Sequence, residues 1–266
     1  MEHIGFIGGG QMGEAMIRGL LAAGTLPAAS IMVAEPDSAR CSVLRKKYGV
    51  LTASSPKELA SHGRVLIVAV KPQVMAAVLG QYRGHCTAEH LLISIAAGVP
   101  LRLFAEHLDE QARVIRVMPN TPALVLAGAS ALCGNAYVGR EDMALAMQIF
   151  SAIGTCVEVG EHLMDAVTGL SGSGPGYVFT FIEAMIDAGV RVGLPRPLAE
   201  SLTLQTIYGS VRLAQESGEH PALLKARVTS PGGTTIAGLH VLEEGGFRGM
   251  VMSAVQAATE RSRELG

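Results

Sequence analysis

Ile4-Gly5-Phe6-Ile7-Gly8-Gly9-Gly10-Gln11-Met12-Gly13 is the stretch on which the fold turns. Its first four residues are a short apolar run and predict a strand. Met12, Ala15, Met16, Leu20 and Leu21 then recur at helical spacing and predict a helix over 12–21. Between the two, Gly8, Gly10 and Gly13 fit the G-x-G-x-x-G pattern, with Gly9, Gln11 and Met12 in the variable positions. Alone the pattern is weak, but a preceding strand and a following helix are the context that makes it a dinucleotide-binding turn. The first glycine makes the tight turn, the second admits a pyrophosphate and the third lets helix pack on strand.

Outward from this turn, residues 1–160 alternate strand-like and helix-like segments. Apolar runs at 30–33, 65–70, 91–95, 114–117 and 155–159 predict strands, and helical spacing fills the gaps between them. Such alternation predicts an α/β Rossmann domain with a doubly wound parallel sheet. After residue 160 strand runs nearly vanish, and 161–266 reads as an all-helical second domain, with a small-residue hinge at 171–176.

Ligands of open α/β sheets bind beyond the carboxyl ends of the strands. Glu35 lies there, where an acidic side chain accepts hydrogen bonds from the adenosine ribose and repels a 2′-phosphate. This favours NADH over NADPH, with dual use left open because Arg40 follows closely. Ala69-Val70-Lys71-Pro72 and Ala96-Ala97 end two further strands and should face the nicotinamide. Lys71 reads as an orienting or structural residue. Asn120, between Pro119 and Pro122, is a candidate polar contact to the nicotinamide, or part of a rigid loop.

A second anion site is predicted far downstream, at Val228-Thr229-Ser230-Pro231-Gly232-Gly233-Thr234-Thr235. Ser230 is read as an N-cap and Pro231 as the first residue of a helix over 231–244. Gly232 and Gly233 would leave the first-turn N–H groups bare for a carboxylate or phosphate. Two anion sites imply two ligands.

Composition narrows the classes. The 266 residues are 49% hydrophobic and 17% charged with a net charge of −2, so no basic footprint for nucleic acid or an anionic membrane is present. No apolar run is long enough for a membrane span. The four cysteines show no C-x-x-C spacing and the eight histidines no ligand spacing, so neither a disulfide framework nor a metal site is expected. A cytoplasmic protein is the expectation, and the high apolar fraction suggests surface buried in an oligomer.

Five segments together resemble the pyrroline-5-carboxylate reductase family: residues 5–13, Ala69-Val70-Lys71-Pro72, Val117-Met118-Pro119-Asn120-Thr121-Pro122, Gly169-Leu170-Ser171-Gly172-Ser173-Gly174-Pro175, and Thr229 to Thr235. The resemblance covers almost the whole chain. It implies a Rossmann domain followed by a helical dimerisation domain, and reduction of L-1-pyrroline-5-carboxylate to L-proline by hydride from NADH or NADPH, the last step of proline biosynthesis. It further implies homodimers that assemble into larger rings, with active sites between subunits. By position, Ser230, Gly232, Gly233, Thr234 and Thr235 would hold the substrate, with Thr235 nearest the ring nitrogen as the catalytic candidate. Glu161 falls where the family often has an acidic residue near the substrate. Two positions depart from some relatives: Pro56 and Arg227 both replace asparagines. Two other readings compete: a dehydrogenase or imine reductase of the same superfamily with another substrate, and a nicotinamide-sensing module without chemistry.

Overall fold

The computed structural model describes residues 3–109 and 111–265. Chain contacts divide it into two compact units. The first runs to Ser173 and takes back the chain from Ala257, and the second is Gly174–Gln256. The expected boundary at 160/161 lies upstream of this division. Residues 161–173 pack with the first unit, where Met164 is fully buried.

The first unit is built on an eight-stranded sheet. In chain order it contains β1 (Ile4–Ile7), α1 (Gln11–Ala22), β2 (Ile31–Ala34), α2 (Ser38–Tyr48), β3 (Leu51–Thr52), α3 (Pro56–His62), β4 (Val65–Val68), α4 (Met75–Tyr82), β5 (Leu91–Ser94), α5 (Leu101–His107) and β6 (Arg113–Met118). β7 (Gly128–Gly134), α6 (Arg140–Ser151), β8 (Gly154–Glu158) and α7 (Met164–Val167) follow. The strand order is β3-β2-β1-β4-β5-β6-β7-β8. β1 to β6 are mutually parallel, with Ile7 beside Ala34 on one side and beside Val68 on the other.

Both faces of the sheet are covered, as the unbroken apolar strands require. Ile4 and Phe6 of β1 and Val65 and Ile67 of β4 join one core with Met16, Ile17, Leu20 and Phe150. Ile7, Leu66 and Val68 point the other way, into a core with Leu79, Phe104 and Met164. Each such side chain contributes roughly 1.5–3 kcal/mol on burial.

Two strands escaped the sequence reading. β3 has only two residues, too few for any period. β7, Gly-Ala-Ser-Ala-Leu-Cys-Gly, lacks β-branched residues, and it runs antiparallel to β6 and parallel to β8. The sheet is therefore mixed rather than wholly parallel. Antiparallel pairing needs no helical crossover, and only Pro119 to Ala127 separate β6 from β7 in the Asn-Thr-Pro region. The hinge expected at 171–176 falls on the end of a π-helical turn, Thr168–Gly172, a bend at Ser173 and the first residues of the helix that starts at Gly174.

The second unit is helical: α8 (Gly174–Arg191), α9 (Arg196–Ser217), α10 (Pro221–Arg227), α11 (Thr234–Glu244) and the first part of α12 (Phe247–Leu265). Within it, Ala199 is the buried apolar side chain, while Phe179, Val192, Tyr208 and Met252 are all more than half exposed in the single chain. No helix among the described residues is long and apolar enough to cross a membrane.

Candidate active site

Strand order reverses between β1 and β4, and a cavity of about 670 Å³ opens beyond their carboxyl ends. Gly8, Gly10, Glu35, Ala69, Val70 and Lys71 all line it. Gly8 turns the chain with φ +100°, and a Cβ there would meet the Ala69 carbonyl oxygen at 2.8 Å. A Cβ on Gly13 would lie 2.9 Å from the Gly8 carbonyl, so this glycine seats α1 against the turn. A Cβ on Gly10, in contrast, meets nothing within 4 Å. Gly10 is the N-cap of α1 and offers no side-chain cap, so the first-turn N–H groups are open to an anion. Gln11 is exposed, and Met12 turns back to pack on the core.

Glu35 accepts from the backbone N–H of Gly9 at 2.7 Å and from that of Asp37 at 3.1 Å. Arg40 is held behind the turn. Its Nε donates to the Gly9 carbonyl at 2.6 Å, and one terminal nitrogen pairs with Glu14 at 2.5 Å. Glu14 also accepts from Tyr48 Oη at 2.6 Å and Lys47 Nζ at 2.9 Å. The Tyr48 hydrogen bond, with Lys47 and Arg40, holds the Glu14 carboxyl down to about 2. Arg40, the residue that left dual cofactor use open, has its guanidinium engaged here by backbone carbonyls and a carboxylate.

Lys71 is exposed on the cavity rim, where it precedes the 3₁₀ turn Pro72–Val74. Ala96 is buried and Ala97 exposed just beyond β5. Pro56 lines the same cavity and opens α3, whose N-cap Ser55 accepts from Glu58 N–H. Ser54, Val74, Val78, Gln81 and Tyr82 also line this cavity and were not singled out from the sequence. Ser54 follows the two-residue β3, and the others lie on the 3₁₀ turn and α4, whose cavity-facing side carries no motif.

Two polar residues do structural work. Asn120, read as a nicotinamide contact, donates its side-chain N–H to the Ser171 carbonyl at 3.0 Å and accepts from Ala129 N–H at 2.9 Å. It braces the start of β7 against the π-helical turn, so the rigid-loop alternative describes its side chain. Glu161, read as substrate-facing, accepts from Leu101 N–H at 2.8 Å, capping the first turn of α5, and lies 3.6 Å from the guanidinium of buried Arg116.

The second predicted site lies in the second unit. Its helix begins at Thr234, not Pro231, and Gly233 rather than Ser230 is the N-cap. Gly232 has φ +66°, and Gly233 N–H donates to the Ser230 carbonyl at 3.1 Å. Ser230-Pro231-Gly232-Gly233 is thus a tight turn of type II character, with proline second and a left-handed glycine third. A helix cannot include that positive φ, so it starts only afterwards. Thr234 and Thr235 thereby become the first two helical residues, in the turn whose N–H groups lack intrahelical acceptors. Thr235 is half-buried. Arg227 pairs with Glu219 at 2.8 Å, which accounts for its charge.

Residues 161–265 match the family model described as pyrroline-5-carboxylate reductase dimerisation, and residues 3–98 match the model described as NADP oxidoreductase, coenzyme F420-dependent. The chain is 50% identical over 264 residues to the pyrroline-5-carboxylate reductase of Synechocystis sp., covering 99% of this chain and 98% of that one. A solved pyrroline-5-carboxylate reductase from Coxiella burnetii superposes with a TM-score of 0.94 at 36% identity, covering 100% of this chain and 98% of that one. The NADP-bound pyrroline carboxylate reductase of Plasmodium falciparum gives 0.89 at 38% identity, with the same coverage. The chain belongs to the pyrroline-5-carboxylate reductase family.

Proposed function

We propose that this chain reduces L-1-pyrroline-5-carboxylate to L-proline, the closing step of proline biosynthesis, using a reduced nicotinamide dinucleotide. The observation that carries the reading is the diglycine–dithreonine helix mouth in a chain that also holds a dinucleotide turn.

The residues present fit a dinucleotide. Gly10 leaves open the space a diphosphate would fill, and the bare first turn of α1 supplies N–H donors toward it. Glu35 retains unshared lone pairs for ribose hydroxyls and its charge opposes a 2′-phosphate, which favours NADH. When bound, the cofactor supplies the hydride that reduces the imine carbon.

The rest falls to the chain itself. The N–H groups of Thr234 and Thr235, with the helix dipole, hold the substrate carboxylate. The Thr235 hydroxyl hydrogen-bonds the ring nitrogen as it becomes an amine. Fixing the carboxylate orients the imine, and near-attack placement at roughly 3–3.5 Å supplies much of the acceleration such reactions need. Ser230 supports the turn through its carbonyl. Glu161 shapes the first turn of α5. The exposed apolar helices of the second unit are covered in a homodimer, and we propose further assembly into rings, to be read by light scattering.

The test is oxidation of NADH and of NADPH, followed optically, with and without pyrroline-5-carboxylate. Substrate-dependent oxidation with proline as product is expected. Dinucleotide binding without oxidation would replace the reading with a sensor module.

A further inference from the structure

We infer that Arg40 is a positioning residue for the diphosphate of the dinucleotide, acting through the Gly9–Gly10 backbone rather than by touching the ligand. The inference rests on the reading that the glycine turn binds a dinucleotide. Arg40 Nε donates to the Gly9 carbonyl at 2.6 Å, and a terminal nitrogen lies 3.4 Å from the Gly10 carbonyl. In a trans peptide the carbonyl of one residue and the N–H of the next point in opposite directions. Drawing the Gly9 carbonyl toward Arg40, and the Gly10 carbonyl toward Arg40 and the Glu14 N–H of α1 at 2.9 Å, turns the N–H groups of Gly10 and Gln11 the other way. Those are the donors at the start of α1, where a Cβ on Gly10 would meet only open space.

The remaining donor of the turn is already committed, because Gly9 N–H binds Glu35. The Gly9 residue is thus gripped by its N–H, from the segment that joins β2 to α2, and by its carbonyl, from the first turn of α2. Asp37 sets the other end of the lever by accepting from the N–H groups of Ala39 and Arg40 as the N-cap of α2. Glu14, held by Tyr48 and Lys47, fixes the guanidinium in place and offsets its charge. A guanidinium so engaged orients backbone donors and is not available to read a 2′-phosphate.

Arg40→Met, Arg40→Lys and Glu14→Gln separate these roles. Dissociation constants for NADH and NADPH would be measured by titration of dinucleotide fluorescence, alongside kcat and melting temperature. Arg40→Met should weaken both dinucleotides by the same factor, about tenfold or about 1.4 kcal/mol, since a charged donor on two carbonyls is lost. The loss should appear in Kd and KM with little in kcat. Arg40→Lys should recover part of it, and Glu14→Gln should show a smaller loss in the same direction. These two variants carry the test if Arg40→Met does not fold. A loss confined to NADPH overturns the inference, because Arg40 would then be a phosphate ligand. Unchanged dissociation constants in folded variants overturn it also. A wild-type protein that binds neither dinucleotide overturns the prior reading, and this inference with it.

Discussion

The backbone N–H of Gly9 donates to Oε2 of Glu35 across 2.7 Å, tying the glycine turn to the end of β2. One carboxylate therefore serves two tasks: it shapes the turn and it lines the cavity. Glu35→Ser removes the charge that opposes a 2′-phosphate. The ratio of kcat/KM for NADPH over NADH should rise about tenfold, the size of about 1.4 kcal/mol. An unchanged ratio would remove Glu35 from cofactor choice.

Gly10→Ala and Gly13→Ala should fail differently. The methyl on residue 10 enters open space, so the fold should hold while the dinucleotide loses its closest approach and its Kd rises. The methyl on residue 13 meets the Gly8 carbonyl at 2.9 Å, so melting temperature should fall first. Calorimetry and fluorescence titration on both variants distinguish the outcomes.

Thr235→Ala should lower kcat with pyrroline-5-carboxylate while leaving dinucleotide Kd in place, and Thr235→Ser should restore most of the rate. Loss of one hydrogen bond that strengthens as hydride addition leaves a lone pair on the ring nitrogen is worth about 1–3 kcal/mol, or roughly five- to 150-fold. Equal rates for wild type and Thr235→Ala would take the hydroxyl out of the reaction.

Glu161→Gln should cost stability. Arg116 is only 6% exposed, and Glu161 is the carboxylate paired with it. The neutral amide can still accept from Leu101 N–H but no longer balances the guanidinium. A loss on the order of 1–2 kcal/mol in denaturant unfolding is expected, the pair being only partly buried. Unfolding curves that coincide would contradict the structural role.

Glu14 predicts an acid limb. Its carboxyl lies at about 2 in the folded chain against 4.5 for the free group, chiefly through the Tyr48 hydroxyl. A lowered carboxyl contributes stability that is complete above the unfolded value and is lost as pH falls toward the folded one. The stability difference between wild type and Glu14→Gln should therefore be constant at neutral pH and shrink between about 4.5 and about 2. A difference that persists unchanged to the acid end would show that the carboxylate is not the cause.

Residue pattern alone determined the strand–glycine–helix unit at 4–22, the apolar strands of a covered sheet, the helical second half and the two glycine-rich turns. Those features depend on neighbours a few residues apart, where hydrophobic period and glycine placement leave few alternatives. Tertiary structure decided what spacing does not encode. Glu35 reaches Gly9 across 26 positions, and Asn120 reaches Ser171 across 51. Whether a polar side chain faces a ligand or braces the backbone depends on which distant carbonyl or N–H the fold brings beside it. That is why spacing alone did not show that Asn120, Glu161 and Arg40 hydrogen-bond to backbone groups. The helix mouth shifted by three residues for a related reason: Pro231–Gly232 closes a turn onto Ser230 before a helix can begin, and capping propensity counts single residues rather than the turn they form.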